Sequence, residues 1–227
     1  MAYLAKKRGD VNRALHWIEE ASKSRAKAPV NQHCMKGKLL FDTGRTKEAK
    51  AEFVFILENI VRDDSYSFLS LANIAFKEAI KCEANQDNEQ DKLLVKAYHK
   101  YLDILAHDQN NCFACLGVAN VLAFFNKNED AKEIYKLVSQ ANPNVYHAYM
   151  NQAHLSIGEK NYELAINLYQ SILSRFLPND LKTEMYLAKA HFMKGEFEYS
   201  KHKILKLIAH YPHYIPLKFN LALCLYH

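Results

Sequence analysis

The feature that most constrains the fold of this chain is a small residue that recurs about every 34 positions. Each time, a bulky residue follows four positions later, as Tyr169 follows Ala165 in GEKNYELAINLYQSIL. The members of this series, separated by 35, 48, 34, 34 and 35 residues, are Ala14, Ala49, Ala97, Ala131, Ala165 and Ser200. A fixed period of this length is typical of proteins built from stacked structural repeats.

A second series of small residues has the same period and lies 12 residues upstream of the first in the ordinary repeats. Its members are Gly37, Ala72, Ala119, Ala153, Ala188 and Ala222. A small residue on each of two helices lets the helix axes approach closely, and a bulky residue at i+4 shares the same face. The sequence therefore predicts antiparallel helix hairpins of the tetratricopeptide-repeat (TPR) type.

Glycines and prolines lie near the predicted ends of the helices. Each hairpin consists of a first helix, which carries the second small series, and a second helix, which carries the first small series. Glycines that precede the second helices are Gly9, Gly44, Gly158 and Gly195. Prolines that follow the second helices, where a helix cannot easily continue, are Pro143, Pro178 and Pro212. The predicted fold class is all-α, a right-handed superhelical TPR solenoid of antiparallel hairpins.

The predicted domain organisation is a single array over residues 1–227. It consists of a partial unit 1–29, units 30–64, 65–111, 112–145, 146–180 and 181–214, and a partial unit 215–227. Both predicted ends cut through a hairpin, whereas solenoids normally carry polar caps, so we interpret the sequence as a fragment of a longer array.

One repeat is longer than the others. The unit 65–111 carries 13 extra residues around CEANQDNEQDKLL, between flanks that are apolar at helical spacing. This pattern predicts a hairpin lengthened at its tip, with EANQDNEQD as an exposed, mobile turn. A disordered loop on a hairpin of normal length is the alternative.

Composition excludes some functional classes. No apolar run approaches the roughly 18 residues that a membrane span requires. The five scattered cysteines do not suggest a disulfide framework and favour a reducing compartment.

The basic residues are distributed unevenly. Residues 1–62 hold 13 Lys/Arg against 7 Asp/Glu. This excess is typical of a solvated helix face, although an acidic partner or nucleic acid is the alternative; direct nucleic-acid binding is not expected.

No motif in the sequence indicates catalysis, and we predict no enzyme activity, cofactor or metal. Cys112 and Cys115 in CFAC have redox or zinc spacing, but a second pair of ligands is missing nearby. Their place in the first turn of a first helix favours packing. His210 and His213 lack carboxylate or cysteine partners, and the phosphate-binding, nucleophile-elbow and zinc-protease motifs are absent.

Function is therefore predicted to reside in the concave groove lined by the first helices. One residue after each member of the second small series lies a column that we call the polar spine: Lys38, Asn73, Asn120, His154, Lys189 and Leu223. Apolar strips three residues before and four residues after the series flank the spine. This pattern suits an amphipathic helix or a long extended peptide. The alternative for the deeper apolar positions is packing between hairpins. The predicted partner-binding residues are Asn73, Asn120, Met150, His154, Met185, Lys189 and Phe192.

Longer stretches of the sequence carry a more specific resemblance. NQAHLSIGEKNYELAINLYQSILSRF, TEMYLAKAHFMKGEFEYSKHKILKL and FNLALCLYH resemble central repeats of the large TPR scaffold of the RNA polymerase II-associated factor (PAF) complex. Upstream, GRTKEAKAEFVFIL, DSYSFLSLANIAF and the insertion before KAYHKYLDIL occur in that family's order. The resemblance implies a nuclear, non-enzymatic scaffold that holds other PAF subunits and supports transcription elongation and co-transcriptional histone modification.

A second hypothesis stays open on the residues alone. A TPR adaptor of another assembly, such as an anaphase-promoting or bacterial-type secretion scaffold, would recruit a peptide or helix in the same groove. In both hypotheses the partners are proteins, and neither involves a membrane. In the PAF hypothesis the RNA polymerase II machinery is an indirect partner.

Overall fold

The computed structural model describes residues 10–23, 30–82 and 87–226 of the chain. Within these ranges it contains twelve α-helices and no β-strand, which confirms the predicted all-α class. In chain order the helices are α1 (Val11–Lys23), α2 (Val30–Asp42), α3 (Thr46–Asn59), α4 (Ser65–Lys81), α5 (Asp87–His107), α6 (Cys112–Phe124), α7 (Asn128–Ala141), α8 (Tyr146–Gly158), α9 (Tyr162–Arg175), α10 (Leu181–Lys194), α11 (Phe197–His210) and α12 (Ile215–Tyr226). None of the helices in these ranges is both long and apolar enough to span a membrane.

The chain divides into two compact units, residues 1–121 and residues 122–227. In the first unit α1 packs on α2, α2 on α3, α3 on α4 and α4 on α5. In the second unit each helix from α7 to α11 packs on the helix that follows it. Contact between sequence neighbours is the arrangement expected of stacked hairpins. The repeat boundaries assigned from the sequence stay a prediction.

Both series of small residues lie in the contacts between helices. The first series, from Ala14 to Ser200, is at most 1% exposed at every position. The bulky residues that follow its members are also buried: Ile18, Phe53, Tyr101, Tyr135, Tyr169 and Ile204. In the second series Gly37, Ala72, Ala119, Ala153 and Ala188 are buried. Ala222 is exposed because no described helix follows α12.

A hydrogen bond joins the two series directly in one hairpin. The buried Ser200 hydroxyl on α11 donates to the carbonyl oxygen of Ala188 on α10 at 2.9 Å. The thiol of Cys224 on α12 donates to the Ser200 hydroxyl at 3.5 Å. The buried Ser200 hydroxyl therefore both donates and accepts a hydrogen bond, as a buried hydroxyl requires.

Two glycines mark helix contacts that leave no room for a side chain. A Cβ atom on Gly37 of α2 would lie 2.7 Å from the Phe53 ring on α3. A Cβ atom on Gly117 of α6 would lie 2.3 Å from the Tyr101 ring on α5. Both distances are far below van der Waals contact, so the rings of Phe53 and Tyr101 pack directly on glycine backbone.

The hairpin turns differ in detail from the prediction. Gly44 and Gly195 adopt left-handed φ angles of 84° and 94° at the ends of α2 and α10, as a helix-terminating glycine does. Gly158 is instead the last residue of α8, and Lys160 takes the left-handed angle of 63°. Gly158 therefore precedes α9 as predicted, but Lys160 takes the left-handed angle in this turn.

Polar side chains fix the starts of several first helices. Asp64 accepts from the backbone N–H of Ser67 at 2.8 Å, and Asp180 accepts from that of Thr183 at 2.9 Å. The Asn111 side chain does the same for the N–H of Ala114 at 3.1 Å. Each bond satisfies a donor in the first helical turn that has no partner within the helix.

The hairpin that contains the insertion has the longest helices in the described ranges. The helix α4 has 17 residues and α5 has 21, against 12 to 14 in the others. Asp87–Asp91 are helical, so the predicted exposed turn over 83–91 is too wide, and residues 83–86 lie outside the described part. The side chain of Gln90 donates to the carbonyl of Ala79 at 3.1 Å, which joins the two helices near the tip.

Candidate partner-binding site

The spine residue Asn73 has an intramolecular role in the first unit. Its side-chain oxygen accepts a 2.7 Å hydrogen bond from the hydroxyl of Tyr101, which is 1% exposed. Burial raises the pKa of Tyr101, which remains a neutral donor. Asn73 therefore satisfies the hydroxyl of a buried tyrosine, a function that sequence reasoning missed. The other predicted binding residue of this unit, Asn120, lies half-buried on α6.

The same arrangement recurs in the second unit with a histidine in place of the asparagine. His154 Nδ1 lies 2.7 Å from the hydroxyl of Tyr169, which donates when Nε2 carries the histidine proton. The His154 ring also meets the ring of Tyr186 edge-on, with 4.6 Å between centroids. In both units, the residue that directly follows a member of the second small series thus accepts a hydrogen bond from a buried tyrosine hydroxyl.

The contacts of His154 predict a dependence of stability on pH. Burial lowers the pKa of His154, and the positive charge of Lys189 lowers it further. A group whose pKa falls on folding stabilises the folded state above its unfolded value of about 6.5. That contribution is lost as the pH drops through the lower folded-state pKa, where protonation of Nδ1 also removes the acceptor for Tyr169.

We therefore expect the melting temperature to fall between pH 7 and pH 5 by less in His154→Asn than in the unsubstituted chain. Asparagine can accept from Tyr169 as Asn73 accepts from Tyr101, without titrating. Thermal unfolding followed by circular dichroism across this pH range measures the difference. An identical acid sensitivity in both proteins would contradict the assigned role of His154.

The second unit contains a cavity of about 390 Å³ between α10, α11 and α12. We call it the α10–α12 cavity. Its lining residues are Met185, Tyr186, Lys189, Phe192, Met193, Ser200, Ile204, Asn220, Leu223 and Cys224. The structure thus brings together three of the predicted binding residues: Met185, Lys189 and Phe192.

Met150 is not among the residues that line this cavity. It packs instead against the buried cluster that contains Ala153, Ala165 and Tyr169, between α8 and α9. Met185 and Phe192 also pack at the edge of a buried cluster, with Ile204 and Leu217, while still lining the cavity. The predicted apolar strip therefore contains both hairpin packing and accessible surface.

The chemistry of the α10–α12 cavity is that of a binding surface. Its walls are largely apolar, and Lys189 contributes a positive charge at an exposed position. The Phe192 ring is held by an edge-to-face contact with Phe197, with 5.1 Å between centroids. An apolar hollow with a few polar groups suits a large apolar side chain and an adjacent acceptor from a partner.

Sequence reasoning missed Tyr186 and Asn220 as cavity residues, although a signal was present. Tyr186 lies two residues before Ala188, and Asn220 lies two residues before Ala222. Both belong to one column of the repeat, which in the first unit includes Gly117. Reading that column beside the spine would have found them.

Metal and thiol chemistry receive no support from the described residues. Within them, no three His, Cys, Asp or Glu side chains are grouped as a metal site requires. The thiols of Cys112 and Cys115 are free and half-buried. Burial raises the pKa of Cys115, and the neighbouring Cys112 raises it further, which disfavours the reactive thiolate.

Comparison with known proteins gives two informative relatives, while no family model matches the chain. The RNA polymerase-associated protein CTR9 of Caenorhabditis elegans is 26% identical over 193 residues, covering 83% of this chain and 17% of the relative. The protein CTR9 homolog of Arabidopsis thaliana is 27% identical over 231 residues, covering 98% and 21%. The chain spans about a fifth of the length of these curated relatives.

Solved structures show the fold. A thermophilic TPR protein from Thermus thermophilus matches with a TM-score of 0.72 at 15% identity, covering 84% of this chain and 95% of that one. A tetratricopeptide repeat protein from Parabacteroides merdae matches with a TM-score of 0.59 at 16% identity, covering 92% and 76%. The resemblance predicted from the sequence is confirmed: over most of its length this chain is similar to CTR9 proteins, and its fold is that of the tetratricopeptide-repeat proteins.

Proposed function

We propose that this chain forms part of a non-enzymatic scaffold that holds other subunits of the PAF complex in the nucleus. Through that complex it contacts the RNA polymerase II machinery and supports transcription elongation and co-transcriptional histone modification. The observation that carries the proposal is similarity to CTR9 proteins over 83% and 98% of the chain. One of these relatives is named as an RNA polymerase-associated protein.

The fold supports the part of the proposal that concerns protein binding. Stacked hairpins present long faces whose side chains can be read by an extended or helical partner segment. In the second unit, we place the partner at the α10–α12 cavity, with a large apolar side chain against Met185 and Phe192. Lys189 then pairs with a partner carboxylate or donates to a carbonyl at the rim.

The remaining predicted residues complete the proposed partner-binding set. Asn120 is proposed to hydrogen-bond the partner, and Met150 to contribute apolar contact from the exposed part of its side chain. Asn73 and His154 act both as acceptors for buried tyrosines and, through their remaining polar atoms, as donors to the partner. Binding energy is expected to concentrate in the apolar anchors.

Affinity purification tests the proposed function. The full-length protein that contains this chain, tagged and purified from nuclear extract, should retain the PAF subunits and RNA polymerase II by mass spectrometry. The tag alone, carried through the same purification, is the control. Recovery of a different multiprotein assembly without PAF subunits would contradict the proposal and favour the alternative of an adaptor for another system.

A further inference from the structure

A second candidate site lies in the first unit, among α3, α4 and α5. A cavity of about 130 Å³ is lined by three lysines, Lys50 from α3 and Lys96 and Lys100 from α5. Apolar side chains line the rest of it, including Val54, Leu71, Ile74 and Leu93, together with Glu78. We call this site the lysine cleft. It differs from the α10–α12 cavity in having three cations at its edge.

Within the described residues, the three lysines of the cleft share a site without an ion-pair partner. Lys100 is half-buried, whereas Lys50 and Lys96 are exposed. Three half-buried lysines elsewhere pair with carboxylates: Lys36 with Glu52 at 3.0 Å, Lys132 with Glu159 at 2.8 Å, and Lys203 with Glu184 at 2.6 Å. In the described part of the chain, no carboxylate forms an ion pair with Lys50, Lys96 or Lys100.

Clustering of these cations has an electrostatic cost that a bound anion would relieve. Burial lowers the pKa of Lys100, and the charges of Lys96 and Lys50 lower it further, while Asp103 opposes the shift. Like charges held close together at a partly desolvated site destabilise one another.

We infer that the lysine cleft binds an acidic segment of a partner protein. One aliphatic side chain of the segment lies on the apolar floor made by Val54, Ile74 and Leu93, and flanking carboxylates meet the three ammonium groups. The apolar floor favours a peptide over a nucleic-acid backbone, because a phosphodiester chain has no aliphatic group to place there.

A fluorescent peptide of about 12 residues, built from Asp, Glu and Leu, tests this inference when titrated with the chain at low ionic strength. Lys50→Gln combined with Lys100→Gln should weaken binding about tenfold, since two charge-assisted contacts are lost. Lys50→Arg combined with Lys100→Arg keeps both charges and should stay within about threefold of the original affinity.

The matched control is Lys47→Gln combined with Lys92→Gln. These exposed lysines lie on the same two helices but do not line the cleft, and the variant loses the same net charge. It should bind within about twofold of the unsubstituted chain. An equal loss in the control would overturn the inference, because net charge alone would then account for binding.

Two competitor experiments separate the chemistry of the ligand. Replacing Leu by Gln in the peptide should weaken binding, since the aliphatic side chain can no longer contact the floor. Equal affinity of that peptide would contradict the proposed insertion. Single-stranded DNA that displaces the peptide, and whose own binding is lost in Lys50→Gln combined with Lys100→Gln, would reassign the cleft to nucleic acid. Absence of any peptide binding would also overturn the inference.

Discussion

Gly117→Ala is expected to lower the free energy of unfolding by about 2 kcal/mol, although the substitution improves helix propensity by roughly 1 kcal/mol. The new methyl group would lie 2.3 Å from the ring of Tyr101. That ring cannot easily move, because it is 1% exposed and its hydroxyl donates to Asn73. The contact of α5 with α6 must therefore open, or the hydrogen bond must break. Urea unfolding followed by circular dichroism measures the change.

Gly158→Ala is the matched control. A methyl group there meets no atom within 4 Å, and the backbone does not adopt a left-handed angle. It should leave stability unchanged or raise it slightly. In a second test, Tyr101→Leu should reduce the further cost of Gly117→Ala, since the ring that causes the clash is gone. Equal effects of the two glycine substitutions would contradict the close approach at Gly117.

Met185→Ala combined with Phe192→Ala should weaken association with the proposed PAF partner by more than about 2 kcal/mol, or roughly thirtyfold. These side chains form the apolar wall of the α10–α12 cavity, where truncation removes the contact surface for a partner's anchor. Lys189→Ala should cost less, and its effect should shrink as salt is added. Quantitative mass spectrometry of co-purified PAF subunits, across a range of protein concentrations, measures the loss.

Two controls separate loss of binding from loss of fold. Leu137→Ala combined with Leu164→Ala removes two exposed leucines from the second helices α7 and α9 and should leave association unchanged. Leu223→Glu places a charge in the cavity at a position that is 40% exposed, so it should block an apolar anchor without unfolding α12. Normal association of a folded Leu223→Glu protein would contradict the role of the cavity.

The sequence predicts most of the architecture because the repeat is enforced by close packing. A small residue is required at each crossing, and therefore Ala49, Ala97 and Ala165 can be recognised from spacing alone. Turn geometry is less predictable because several residue types can adopt a left-handed angle. Lys160 does so in the turn that follows Gly158. The position of a turn is thus fixed more tightly than the residue that makes it.

The candidate site was predicted less completely than the fold. Fixed offsets from the second small series identify Met185, Lys189 and Phe192 on one helix. The cavity also depends on the distance between α12 and α10. The position of α12 depends on three-dimensional packing, including the contact of Cys224 with Ser200 on α11. The same limit explains Asn73, since its place in a polar column does not reveal the buried hydroxyl of Tyr101 across the hairpin.

The most direct test of partner binding at the α10–α12 cavity is hydrogen–deuterium exchange of the full-length protein, alone and within its purified complex. Backbone amides of α10 and α12 that line the cavity should exchange more slowly in the complex, because a bound segment restricts the opening of these helices. The exposed side of α9 should exchange at an unchanged rate. Equal exchange of α10 and α12 in both states, with protection confined to other helices, would contradict binding at this cavity.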